Sequence, residues 1–113
     1  MNILYVEDDP ILRYSITREL RNLRHVVHET ESAEAALVLL AEHDVDVLLT
    51  DVELPGESGV VFAAAARAVR PDLRLVMCTG LNRFNQLGDP NSGLVVLRKP
   101  FSLAELTKAL AGS

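Results

Sequence analysis

The sequence predicts an α/β domain in which a doubly wound, five-stranded parallel sheet carries helices on both faces. Three observations predict it. Short runs rich in Val, Leu and Ile alternate along the chain with longer stretches of helical spacing. The central run is apolar on both sides, since Asp46 alone interrupts Val45, Val47, Leu48 and Leu49, as a strand covered twice requires. Finally, 113 residues with 49% hydrophobic and 24% charged side chains supply one core and are too few for two, so residues 1–113 are read as a single domain.

The strands are expected at Asn2 to Val6, His25 to His28, Val45 to Thr50, Leu73 to Cys78 and Leu94 to Leu97. The first helix follows Asp9, a good N-cap, and Pro10, whose missing N–H would be unpaired at a first helical position anyway. It carries Leu12, Ile16, Leu20 and Leu23 on one stripe. A second helix is expected from Ser32 to Glu42 and a third from Ser58 to Arg70, stopped by Pro71. Ser102 and Glu105 form a capping box for the last helix, which continues through Leu103, Leu106 and Leu110. Between Asn82 and Gly93 the turn formers Gly88, Asp89, Pro90, Asn91 and Ser92 leave room for only a shortened or irregular fourth helix.

Charge and composition narrow the function. Sixteen acids against eleven bases give a net charge of -5, which opposes nucleic-acid binding through phosphates and adsorption to anionic membranes. The longest apolar runs, Ala35 to Ala41 and Val60 to Ala66, are seven residues each, far short of the roughly 18 of a membrane span. No leader precedes the first strand, so a cytoplasmic location is expected. A single Cys78 supplies neither an internal disulfide nor a structural zinc site and reads as a small buried hydrophobe. His25, His28 and His43 read as surface or sheet-edge residues. Arg13, Arg21 and Arg24 read as one face of the first helix, solvated or docking a kinase.

In open parallel sheets ligands bind beyond the carboxyl ends of the strands. The five ends here are Glu7 with Asp8, then Glu29, Asp51, Thr79 and Lys99. If the first and third strands are neighbours, Glu7, Asp8 and Asp51 share one pocket. Two like charges about 5 Å apart repel by roughly 3 kcal/mol at an effective dielectric near 20, so such a cluster calls for a cation. All-oxygen ligands without His or Cys suit a hard ion, and an open site that keeps several waters suits magnesium. Magnesium held this way commonly binds phosphate, and a carboxylate can itself be the nucleophile that forms an acyl phosphate. Lys99, one of only two lysines beside nine arginines, is a compact cation for a phosphate oxygen, and Thr79 offers a hydroxyl.

The segments Ile-Leu-Tyr-Val-Glu7-Asp8-Asp9-Pro10, Leu-Leu-Thr-Asp51-Val-Glu-Leu-Pro55-Gly56-Glu-Ser-Gly59, Val-Met-Cys-Thr79-Gly80 and Arg-Lys99-Pro100-Phe101 resemble the receiver domain of two-component response regulators. The likeness covers essentially the whole chain, with four motifs in order at strand ends. It implies a flavodoxin-like sheet of order 2-1-3-4-5. It further implies Asp51 as phospho-acceptor, Asp8 as a direct Mg2+ ligand, Glu7 as a ligand mainly through water, and Glu53 as a ligand through its backbone carbonyl. Thr79 would turn toward the phosphoryl group and Lys99 would pair with it, beside a cis bond to Pro100. The donor implied is a sensor histidine kinase or a histidine phosphotransfer protein, acting on a domain that catalyses its own modification without being a turnover enzyme. An unknown downstream protein would read the result, through a change of conformation or a phosphorylation-dependent dimer.

The chain departs from the family pattern at Val96, where receivers usually carry Tyr or Phe three residues before the lysine. Readout is therefore expected to pass through the Thr79 to Gly93 segment. Two other classes stand beside this reading. A pseudo-receiver would signal by protein contact alone, which Val96 favours and the full acid, Thr and Lys set opposes. A magnesium-dependent phosphatase would use Asp51 and Glu53, but one small domain offers little substrate pocket. The ending at Ser113 suits either a stand-alone receiver or a piece of a larger regulator or hybrid kinase.

Overall fold

In the computed structural model, which describes residues 1–54, 57–79 and 94–111, the elements alternate as the sequence predicts. They are β1 (Asn2–Val6), α1 (Pro10–Asn22), β2 (Val26–Thr30), α2 (Ala33–Glu42), β3 (Val47–Asp51), β4 (Glu53–Leu54), β5 (Glu57–Ser58), α3 (Gly59–Val69), β6 (Arg74–Thr79), β7 (Leu94–Arg98) and α4 (Leu103–Leu110). The main sheet has the order β2-β1-β3-β6-β7. With the two-residue strands β4 and β5 set aside, this is the 2-1-3-4-5 order. Every ladder in it is parallel, so every carboxyl end lies on the same rim.

The two faces of each central strand feed different cores. Leu4, Val6, Leu48, Leu75 and Met77 pack with Ala36 and Leu40 of α2 and Phe62 and Ala66 of α3. Ile3, Tyr5, Leu49, Val76 and Cys78 pack with Leu20 of α1 and Leu106, Ala109 and Leu110 of α4. Small residues Ala33, Ala36, Ala63 and Ala66 let α2 and α3 approach the sheet closely. This alternation is why the strands carry no polar face.

The helix starts follow the caps read from sequence. Asp9 accepts from the N–H groups of Ile11 and Leu12, Ser32 accepts from Ala35, and Ser102 and Glu105 form the reciprocal box. Several boundaries differ from expectation. β2 starts one residue later and runs to Thr30, because its ladder to β1 continues through Tyr5↔Glu29 and Val6↔Thr30. β3 and β6 include Asp51 and Thr79, which pair as part of the ladders. Ser58 belongs to the antiparallel β4–β5 ribbon and not to α3.

Leu23 leaves the helical stripe as the C-cap of α1 and is exposed. Arg24 follows it at a φ of 69°, with its N–H on Arg21 O and the His25 N–H on Leu20 O. That is a Schellman stop made without glycine, and it takes Arg24 off the helix face assigned to it. The expected short fourth helix within 82–93 and the segment proposed for readout, beyond Thr79, lie outside the described residues.

Candidate functional site

Sheet order decides the site. β1 lies between β2 and β3, with Val6 opposite Thr50, so the residues leaving β1 emerge beside the end of β3. Ligand oxygens of Glu7, Asp8 and Asp51 all lie within 4.8 Å of one another, the only such acidic, histidine or cysteine group among the described residues. Thr79 ends β6 one position past Cys78, the register partner of Asp51, and is buried. The Lys99 N–H donates to Thr79 O at 2.8 Å, and the Lys99–Pro100 peptide is cis.

These contacts aim the lysine into the acids. Lys99 Nζ stands 2.5 Å from Asp51 Oδ2 and 3.5 Å from Glu7 Oε1. The three acids are in different surroundings. Glu7 is 3% exposed, Asp51 has a side chain 13% exposed, and Asp8 faces solvent. Burial is the main reason that the Glu7 carboxyl is held above its ordinary range; Asp51 and Asp8 add to it, while the Asp9 N–H and Lys99 oppose it. Burial alone would lower the lysine, but the hydrogen bond and charge of Asp51, then Glu7, raise it. Burial also pushes the Cys78 thiol up to about 12 and raises the Tyr5 phenol, so neither is a nucleophile near neutral pH.

Three carboxylates with neither nitrogen nor sulfur donors form a set for a hard divalent cation. Oxygens cis or trans on an octahedral Mg2+ stand about 3–4 Å apart, so the spacing of the three acids fits one ion after small side-chain adjustments. Glu53 lies two residues past Asp51, its main chain paired with Ser58 in the β4–β5 ribbon. Val96 sits in the middle of β7 opposite Met77.

Two residues near the site carry roles that the sequence reading did not assign. Gly59, present in the third-strand motif, opens α3 with its N–H on Val52 O at 2.6 Å. A Cβ there would collide with the Asp51 carbonyl oxygen and lie 2.7 Å from Val52 Cα, so glycine is what lets the helix close against the Asp51–Val52 peptide. Arg13 was read as part of a helix face, yet its guanidinium donates to Glu7 O at 2.7 Å. Arg13 and Arg21 both reach Glu29, at 3.7 Å. A signal for Arg13 was present: it is a cation near the start of a helix, where the dipole disfavours one. His28 and His43, away from the acids, stack with ring centroids 4.1 Å apart.

The doubly wound sheet of order 2-1-3-4-5 with acids on its carboxyl rim defines a flavodoxin-like class of α/β domain. Residues 3–111 match the response regulator receiver domain family, and the chain belongs to that family, whose members are modules of two-component systems. The response regulator receiver protein CpdR of Brucella abortus is 30% identical over 110 residues, spanning 96% of this chain and 92% of that one. The DNA-binding transcriptional regulator NtrC of Azospirillum brasilense is also 30% identical over 110 residues, but this chain spans only 23% of it. A crystal structure of a response regulator receiver protein from Sinorhizobium medicae superposes with a TM-score of 0.85 at 25% identity, covering 98% of this chain and 91% of that one. No helix among the described residues is long and apolar enough to cross a membrane.

Proposed function

We propose that this chain is a phospho-acceptor switch of a two-component or phosphorelay system, with Asp51 as the residue modified. The observation that carries the reading is the convergence of Glu7, Asp8 and Asp51 within 4.8 Å, with Lys99 Nζ on Asp51. Asp8, Asp51, the Glu53 carbonyl and, mainly through water, Glu7 would hold Mg2+, which when bound supplies charge neutralisation for the transferred oxygens.

The chain's own groups do the rest. An Asp51 carboxylate oxygen, partly open to solvent, attacks the phosphorus of a phosphohistidine. The P–O bond forms as the P–N bond breaks, and the donor imidazole leaves with the electron pair and takes up a proton. Lys99 moves from the Asp51 carboxylate to the new phosphoryl oxygens, and Thr79 donates its hydroxyl to another. The donor is a sensor histidine kinase or histidine phosphotransfer protein in the cytoplasm, and an unidentified protein, or a second phosphorylated copy, reads the change. The pseudo-receiver alternative loses ground because it needs no such cluster, and the phosphatase alternative because one small domain offers little substrate pocket.

The test is incubation with a small phosphodonor and Mg2+, followed by intact-mass analysis. A base-labile phosphate adduct that requires Mg2+ and disappears in Asp51→Asn is expected. An adduct that persists in Asp51→Asn would place the chemistry elsewhere.

A further inference from the structure

All four polar atoms of Glu7 are engaged. Its N–H donates to Thr30 O at 3.0 Å, where the β1–β2 ladder ends. Its carboxylate accepts from the Asp9 N–H at 3.3 Å and faces Lys99. Its carbonyl lies past the last sheet pair, on a residue only 3% exposed, and a main-chain acceptor there needs a donor from outside the sheet. Arg13 Nη1 is that donor, at 2.7 Å.

Arg13 occupies an unfavourable place to be a cation. It sits one turn after the N-cap, its N–H on Asp9 O at 2.9 Å, at the positive end of the α1 dipole. A helix built for stability alone would carry Asp or Glu near here, yet the first turn of α1 has no acid. Its hydrogen bond to the Glu7 carbonyl is the close contact; Glu29 Oε1 lies 3.7 Å from its Nε, beyond hydrogen-bond range, and Arg21, which donates to Val27 O, stands equally far from the other Glu29 oxygen. A planar guanidinium can serve the Glu7 carbonyl and the Glu29 carboxylate together, whereas an ammonium has no such fork.

We propose that Arg13 is a positioning residue for the cation site, setting through the Glu7 carbonyl the direction in which the Glu7–Asp8 peptide presents its two carboxylates. The proposal rests on the reading of the rim as a Mg2+ site. It assigns Arg13 no contact with the ion or the phosphoryl group.

The test compares wild type with Arg13→Gln, Arg13→Lys and Glu29→Gln. Mg2+ affinity is measured by calorimetry, the Glu7 carbonyl 13C shift by NMR in metal-free protein, and folding by circular dichroism. Loss of an outer partner of a metal ligand typically weakens metal affinity at least tenfold. Arg13→Gln is therefore expected to bind Mg2+ about tenfold more weakly while folded and to shift the Glu7 carbonyl resonance, Arg13→Lys to fall between it and wild type, and Glu29→Gln to stay within about twofold. Wild-type affinity and an unmoved carbonyl in Arg13→Gln would overturn the proposal, as would Glu29→Gln matching its loss. If Arg13→Gln does not fold, Arg13→Lys decides: full affinity there overturns the proposal. A wild type that binds no Mg2+ would instead fault the functional reading of the site.

Discussion

The two ends of the sheet treat charge in opposite ways. At the amino ends of the strands, where α2 and α4 finish, Arg70, Arg74 and Asp46 each have a main-chain partner. Arg70 donates to Leu40 O and His43 O at 3.1 and 2.6 Å and pairs with Asp44. Arg74 donates to Leu110 O, and Asp46 accepts the Asn2 N–H at 2.8 Å. Arginines thus cap carbonyls at the negative ends of helices, as the dipole favours. At the carboxyl ends three acids cluster, and two of them, Glu7 and Asp51, share one lysine. One end is held by hydrogen bonds to main-chain carbonyls, and the other gathers the acidic group proposed above as a cation site.

The largest expected effect breaks this contrast at the rim. Gly59→Val puts a branched side chain against the Asp51–Val52 peptide and should cost about 3 kcal/mol in urea unfolding. Unchanged stability would mean that α3 has slack there. Arg70→Met breaks the clamp at the other end. Leaving the last carbonyls of α2 without that donor should cost about 1–2 kcal/mol, with no change in Mg2+ response.

Asp8→Asn sharpens the comparison by making the rim less crowded. Removing one like charge from the group should raise the melting temperature of metal-free protein by about 3 °C, and the rise in melting temperature with Mg2+ expected of the wild type should be lost. A lower melting temperature would show that the acids are already compensated.

The smallest effect is one of pH at the end held by hydrogen bonds. His28 is held below the usual imidazole range by burial first, then by His43 and Arg21. The folded chain therefore takes up fewer protons than the unfolded chain below the ordinary value of 6.5. Its contribution is complete above that value and is lost as pH falls through the lowered one. Melting temperature should decline with acidification in that window, and His28→Gln should flatten the decline.

Much of this was legible because local signals agreed with the fold. Asp9-Pro10 and the Ser102–Glu105 box mark helix starts by satisfying particular N–H groups, and two-sided apolar strands imply helices on both faces. The convergence of the acids and Lys99 was legible because they fall at strand ends. What was hidden depends on contacts remote in sequence or on a residue used against its preference. The α1 stop at Arg24 lacks the Gly or Asn that usually signals a left-handed residue. The excess of arginine over lysine has a physical meaning only once Arg13, Arg21, Arg67, Arg70 and Arg74 are seen donating to carbonyls of other elements. Nothing near Arg13 in sequence says that its fork reaches the residue that β1 delivers to the rim.

The most direct measurement is a Mg2+ titration followed through backbone amide resonances. The account predicts saturable shifts at Glu7, Asp8, Asp51 and Val52, with the amides of Asp44, Asp46 and Asp72 at the opposite end unmoved. No response at the rim at millimolar Mg2+, or shifts centred on Asp44, Asp46 and Asp72, would contradict it.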